Sequence, residues 1–152
     1  MCIISSMKYY AYEIFKNDTN KLITQVHSFA PTAILAIARG GFTLGHAMAE
    51  GLGIRDLQSL RTELYDKSEK RDVITLFGSC DYKEGTKVLV VDDISDSGET
   101  LSFVMHYLKE NFPQVTFKSA TLFYKPTSCY EPDFWIDNND EWIDFFWEKD
   151  FK

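Results

Sequence analysis

The run Val88-Leu89-Val90-Val91 constrains the fold more than any other stretch of this chain. Four consecutive aliphatic residues, three of them β-branched, suit a strand covered on both faces, as in a parallel sheet enclosed by helices. Two carboxylates, Asp92 and Asp93, then break the run, followed by a polar loop through Ser95, Asp96, Ser97 and Gly98. From Leu101 the apolar period turns helical, through Val104, Met105, Leu108 and Phe112. A strand–loop–helix unit places its loop at the carboxyl edge of the sheet, where open α/β folds bind ligands.

The loop holds the parts of a phosphate cradle. Ser95, Ser97 and Thr100 offer hydroxyls, Gly98 permits close backbone approach, and the following helix offers free N–H groups and the positive end of its dipole. The acids have another purpose, because a carboxylate repels phosphate. Adjacent Asp92 and Asp93 point to opposite faces if the strand continues through them. One or both can bind ligand hydroxyls or a Mg²⁺ carried by a phosphate. Asp96, inside the cradle, can accept a proton from a reacting group. An ordinary turn competes with this reading, since Asp96 and Glu99 have capping-box spacing. A calcium loop does not, because its twelfth position is Val104 rather than an acid.

A second strand–loop–helix unit precedes this one. Ala33–Ala38 reads as a buried strand, Arg39-Gly40-Gly41 as its loop, and 42–52 as a helix. Two glycines let backbone N–H groups converge on an oxyanion, and Arg39 adds a fork of donors. A basic loop and an acidic, hydroxyl-rich loop together suit a ligand with phosphate at both ends. Upstream, Lys8–Tyr12 has strand character, and Asn17, Asp18 and Thr19 offer N-caps for a helix carrying Leu22, Ile23, Val26 and Phe29. Leu57–Leu64 and Val73–Phe77 read as strands around the polar stretch 65–72. Val115–Tyr124 reads as a further strand, stopped by Lys125-Pro126. The tail interleaves Trp135, Trp142, Phe145, Phe146 and Trp147 with acids.

The 152 residues suit one domain, with no internal repeat or linker. The net charge of −7, without a run of Lys or Arg, argues against a nucleic-acid partner. Cys2, Cys80 and Cys129 stand far apart, which suits a reducing compartment and offers no zinc spacing. No stretch approaches the roughly 18 apolar residues of a membrane span, and the opening residues are too short for a signal-peptide core. The expected location is the cytoplasm, with Met1 and Met7 both open as starts. His27, His46 and His106 lack ligand spacing and read as structural or surface residues.

Four apolar residues, two acids, two spacers and Asp-Ser-Gly-x-Thr resemble the signature of the type I phosphoribosyltransferases. Within that family the chain is similar to the short bacterial xanthine–guanine enzymes. That likeness runs through Ala38-Arg39-Gly40-Gly41, Leu52-Gly53-Ile54-Arg55, Tyr65-Asp66, Phe123-Tyr124-Lys125-Pro126 and Asp140-Glu141-Trp142-Ile143. The resemblance implies an α/β fold with a mainly parallel sheet, a mobile flap over about 64–72 and a small base-binding hood over 125–152. It implies transfer of a 5-phosphoribosyl group from phosphoribosyl pyrophosphate (PRPP) to a 6-oxopurine, with Mg²⁺ as cofactor and a dimer or tetramer as the assembly.

Its residue roles follow in the same way. Arg39, Gly40 and Gly41 would hold pyrophosphate around a strained or cis peptide, helped by Arg71 (or Lys70) from the flap. Asp92 and Asp93 would hold the ribose hydroxyls, with Asp93, and Asp92 as a further candidate, serving the metal directly or through water. Ser95, Asp96, Ser97, Gly98, Glu99 and Thr100 would hold the 5-phosphate, with Asp96 also the proton acceptor. Lys125 would donate to the 6-oxo group, Trp142 (with Trp135 as rival) would stack on the base, and the Ile143 backbone would meet its edge. Glu99 stands where near relatives carry Gly, and Leu64 where the family has Ser. A non-catalytic PRPP- or nucleotide-binding regulator, or a transferase for another base, are the competing readings.

Overall fold

The computed structural model describes residues 7–67, 71–138 and 140–152. Its elements, in chain order, are β1 (Met7–Tyr10), α1 (Tyr12–Val26), β2 (Ala33–Ala38), α2 (Gly41–Leu52), β3 (Leu57–Lys67), β4 (Arg71–Phe77), β5 (Lys87–Ser95), α3 (Glu99–Asn111), β6 (Thr116–Tyr124), β7 (Phe134–Asn138), β8 (Trp142–Phe145) and α4 (Phe146–Lys149). Six strands form one sheet in the order β4-β3-β2-β5-β6-β7, parallel except for the β3–β4 hairpin. The expected α/β architecture is the observed one.

The aliphatic run lies at the centre of this sheet, and Val88 through Val91 are fully buried. Leu89 and Val91 join one apolar cluster with Leu44 and Met48 of α2 and Leu22 and Val26 of α1. Val88 and Val90 join the opposite cluster, with Val104, Met105 and Leu108 of α3. The period of two in the strand therefore supplies both layers of the core. Chain direction in the sheet reverses between β2 and β5. From β2 the chain passes through α2 to β3 on one side, and from β5 through α3 to β6 on the other. The crevice above such a switch point is the ligand site of open α/β sheets.

One expectation changes in the N-terminal region. The helix begins at Tyr12, so Asn17, Asp18 and Thr19 lie inside it and cap nothing. Burial decides the boundary: Phe15, Thr19, Leu22 and Val26 are spaced to face the sheet, and Phe29 falls in a 3-10 turn beyond the helix. The first strand does not join the main sheet. It runs parallel to β8, pairing Met7 with Trp142, Lys8 with Ile143 and Tyr10 with Phe145.

Tyr10 fastens this small sheet to the rest. Its buried ring meets Phe123 and Phe145 edge-on, at centroid distances of 5.0 and 5.7 Å. Its hydroxyl donates to Asp18 Oδ2 at 2.6 Å. Tyr10→Ala is expected to cost about 3–5 kcal/mol by opening a cavity. Tyr10→Phe, which removes only the hydrogen bond, is expected to cost about 1 kcal/mol. Urea unfolding of the two variants separates the contributions. The histidines take the surface roles expected of them, with His46 and His106 beside Glu50 and Glu110 one helical turn on. No helix of the described residues is long and apolar enough to cross a membrane.

Candidate active site

Strand β5 continues through both acids to Ser95, while its pairing with β2 stops at Ala36–Val91. Asp92 and Asp93 thus stand where the two central strands part. Three cavities meet there. The largest, about 690 Å³, is lined by Arg39, Gly40, Thr43, Asp92, Asp93 and Thr100, and by Trp147, Glu148 and Lys152 from the C-terminal end. A cavity of about 100 Å³ lies over the 95–100 loop and shares Asp92 and Thr100 with the first. A third, of about 140 Å³, is bounded by Asp96, Lys125, Trp142 and Ile143 and shares Asp93 and Glu148 with the first. A central chamber therefore has a phosphate-sized recess on one side and an aromatic-walled recess on the other.

The Arg39 loop follows a cis peptide between Ala38 and Arg39, as the resemblance implied. Its glycines are dictated by crowding. A Cβ on Gly40 would stand 2.6 Å from the Asp93 carboxylate, and one on Gly41 would stand 2.5 Å from the Val91 carbonyl oxygen. Gly40 borders the chamber. Gly41 does not, and its function is to let α2 start against the backbone of β5.

The 95–100 loop departs from expectation at two residues. Ser95 is buried, and its hydroxyl donates to the Tyr130 carbonyl at 2.8 Å and lies 2.9 Å from Ser128 Oγ. It ties the loop to the segment after β6 rather than presenting a free donor to phosphate. Glu99 is exposed and lines none of the three cavities. Ser95, Asp96, Ser97, Gly98 and Thr100 line the recess, which ends at the start of α3. The 127–130 segment closes over the loop, with the Cys129 N–H bonded to the Ser97 carbonyl at 2.8 Å. Nothing in the sequence announced that cover.

In the third cavity Lys125 Nζ lies 2.9 Å from Asp96 Oδ1, so the two expected base-handling groups form an ion pair. Trp142 forms a wall there and is 58% exposed, leaving its face available for stacking. Trp135, the rival, instead packs on Tyr124 at 5.4 Å and lines none of the three cavities. Lys70 lies outside the described residues, and for Arg71 the structure describes only its backbone, paired with Lys67 across the hairpin.

The acidic pair carries unrelieved charge. Burial first, then the charge of Asp93, holds the Asp92 carboxyl well above the ordinary carboxylate range. Burial also raises Asp93, hydrogen bonding to Asp92 and Ile94 pulls it back, and the charge of Glu148 raises it again. Among the described residues no three His, Cys, Asp or Glu side chains cluster as a ready-made metal cage. One or two carboxylates facing a phosphate ligand suit Mg²⁺, which keeps much of its shell as water and substrate oxygens.

A carboxyl that holds its proton more tightly when folded stabilises the fold below about pH 4, and that contribution fades as pH rises through the folded value. Asp93→Asn is therefore expected to raise apoprotein stability at pH 7.5 by about 2 kcal/mol and to flatten its decline between about pH 4 and pH 6. Thermal melts across that range, in buffer without divalent cations, measure both effects. A variant less stable than the parent at pH 7.5 overturns the assignment.

Glu148, Trp147 and Lys152 were not among the site residues expected in the 125–152 hood, yet they line the chamber. Pairing of β8 with β1 brings that tail back over the sheet.

The chamber above the switch point thus joins a glycine loop, an acidic pair, a small recess over the 95–100 loop and an aromatic-walled recess, the layout of a ligand site in an open α/β fold. Comparison with known proteins gives the family. Residues 6–151 match the phosphoribosyl transferase domain. The chain is 31% identical to the xanthine-guanine phosphoribosyltransferase of Idiomarina loihiensis over 118 residues, covering 76% of this chain and 70% of that one. It is 32% identical to the protein of the same name from a Ruegeria species over 125 residues, covering 76% and 68%. The solved Helicobacter pylori xanthine-guanine-hypoxanthine phosphoribosyltransferase superposes with a TM-score of 0.90, at 34% identity over 96% of each chain. The protein belongs to the phosphoribosyltransferase family.

Proposed function

We propose that this enzyme transfers the 5-phosphoribosyl group of PRPP to a 6-oxopurine, releasing pyrophosphate, as a purine-salvage transferase of the cytoplasm. The observation that carries the reading is the Lys125–Asp96 pair at 2.9 Å, beside Trp142 and next to the phosphate recess. An ammonium donor and a carboxylate acceptor side by side match the 6-oxo group and the neighbouring imidazole nitrogen of an oxopurine. Adenine presents an amino donor where Lys125 also donates.

The chain's groups divide the work by position. Ser97, Gly98, Thr100 and the first turn of α3 seat the 5-phosphate, which fixes the sugar. Arg39 and Gly40 receive the pyrophosphate across the chamber, and Arg71 is the flap's candidate for the same group. Asp92 and Asp93 hold the ribose hydroxyls, and Asp93, with Asp92 beside it, would hold Mg²⁺, which neutralises phosphate charge when bound. Trp142 stacks on the base, the Ile143 backbone meets its edge, and Asp96 takes the proton from the imidazole nitrogen beside the 6-oxo group as the other imidazole nitrogen bonds to the sugar and pyrophosphate leaves. Closure of the flap that the resemblance implies over about 64–72 would keep water from the sugar cation. A dimer or tetramer is the assembly the likeness supports.

The test is pyrophosphate release from PRPP and Mg²⁺ with guanine, xanthine, hypoxanthine, adenine and uracil offered separately. Turnover confined to the oxopurines is the expected result. Saturable PRPP binding without turnover of any base would assign the chain to the regulators instead.

A further inference from the structure

We infer that Ser128 is a positioning residue shared by the two halves of the site. Its hydroxyl clasps the segment 125–130 to the 95–100 loop, so that one contact sets both the Lys125 ammonium and the phosphate recess. The inference rests on the transferase reading above. Ser128 itself lines none of the three cavities, so it acts only through the residues it holds.

The segment is fastened at both ends. At its start the Lys125 N–H donates to the Ser95 carbonyl at 3.1 Å, where the β5–β6 ladder ends. At its far side the Cys129 N–H donates to the Ser97 carbonyl at 2.8 Å. Between them lies a four-residue turn with Pro126 in second place, closed by the Ser128 N–H on the Lys125 carbonyl at 2.8 Å. Ser128 Oγ then stands 2.9 Å from Ser95 Oγ and donates to the Tyr130 carbonyl at 3.0 Å, while Ser95 Oγ donates to the same carbonyl at 2.8 Å. Ser128 Oγ also accepts from the Tyr130 N–H at 3.2 Å. Ser95 is 1% exposed, so water does not replace its side of this contact.

The two ends of the clasp serve different ligand groups. Lys125 lines the cavity walled by Trp142, whereas Ser97 and Gly98 line the recess over the loop. A shift at Ser128 passes to Lys125 through the carbonyl that closes the turn, and to Ser97 through the neighbouring Cys129 N–H. Loss of the hydroxyl therefore reaches the base and the phosphate together. A segment that merely covered the loop would affect PRPP alone.

The experiment is steady-state kcat and KM, for PRPP and for the oxopurine the parent turns over fastest, in the parent, Ser128→Ala, Lys125→Ala and the double variant, with melting temperatures. Ser128→Ala is expected to raise each KM about three- to tenfold, the worth of one hydrogen bond, with kcat changed less than about twofold. In the Lys125→Ala background the same substitution should again raise the KM for PRPP but leave that for the base unmoved, because the group it positions is gone. A rise in the KM for PRPP alone overturns the inference, as does a rise in the base KM that is equal with and without the Lys125 side chain. A lower melting temperature with both KM values unmoved also overturns it and assigns Ser128 to the fold. Each of these leaves the transferase reading standing. Absence of turnover in the parent overturns both.

Discussion

Asp96→Asn is expected to lower kcat about 10²- to 10⁴-fold, the usual worth of a positioned general base, while the KM for PRPP changes little. The carboxylate lines both the recess over the 95–100 loop and the cavity walled by Trp142, so in the proposed reaction it would stand beside the bond that forms. An amide has the same shape and can still accept a hydrogen bond, but it cannot take the proton that the imidazole nitrogen must lose. The substitution also leaves the Lys125 ammonium without its partner at 2.9 Å. The side chain of Asp96 is 58% exposed, so the stability change is expected to stay below about 1 kcal/mol. A thermal melt and separate titrations of base and PRPP distinguish lost chemistry from lost structure. Turnover equal to the parent's would remove Asp96 from the catalytic step.

Gly98→Ala is expected to raise the KM for PRPP by about 100-fold or more, through loss of the phosphate seat. Two effects combine at this residue. Its φ of +86° lies in the region that L-residues avoid, at a cost of about 1–2 kcal/mol. A Cβ there would also stand 2.3 Å from Ser128 Oγ, 2.7 Å from the Tyr130 nitrogen and 3.0 Å from the Cys129 nitrogen. The serine can turn aside, but the backbone of 129–130 cannot without breaking the Cys129 N–H bond to Ser97. Either the cover lifts or the loop shifts, and both move the groups that face phosphate. Gly85→Ala is the control, since Gly85 has a comparable φ of +85° and an added Cβ there meets nothing within 4 Å. Titration of PRPP against both variants, with their melting temperatures, separates backbone strain from loss of the seat. An equal PRPP KM in Gly98→Ala and the parent would mean that the cover is not needed for the phosphate site.

The local signals were strongest where one residue type had one physical use. The buried Val88–Val91 strand, the loops at Arg39-Gly40-Gly41 and Asp96-Ser97-Gly98, and the helices that follow them were legible because burial period, turn residues and helix starts all agree. The phosphate role proposed for these loops rests on the same residues, since phosphate recognition is built from consecutive backbone and hydroxyl groups within one loop. Lys125 and Trp142 were legible as candidates by resemblance to the family. What escaped depends on residues far apart in the chain. The engagement of Ser95 with Tyr130, the cover of 127–130 over Gly98, the Lys125–Asp96 ion pair and the approach of Glu141 and Glu148 to the site all span sequence gaps that no period describes.

The N-terminal region shows the same division. Capping residues at Asn17–Thr19 announced a helix start, but the burial of Phe15 against the core extended the helix back past them to Tyr12, because tertiary packing outweighs a cap worth about 1 kcal/mol. By itself the sequence determined the α/β layering, the two glycine-containing loops at the sheet's carboxyl edge and the family. The tertiary structure alone decided which acids share a cavity, which tryptophan lines the cavity beside Lys125 and what closes over the loop. Those outcomes follow from long-range strand pairing, above all β1 with β8, which brings the chain's tail over its switch point.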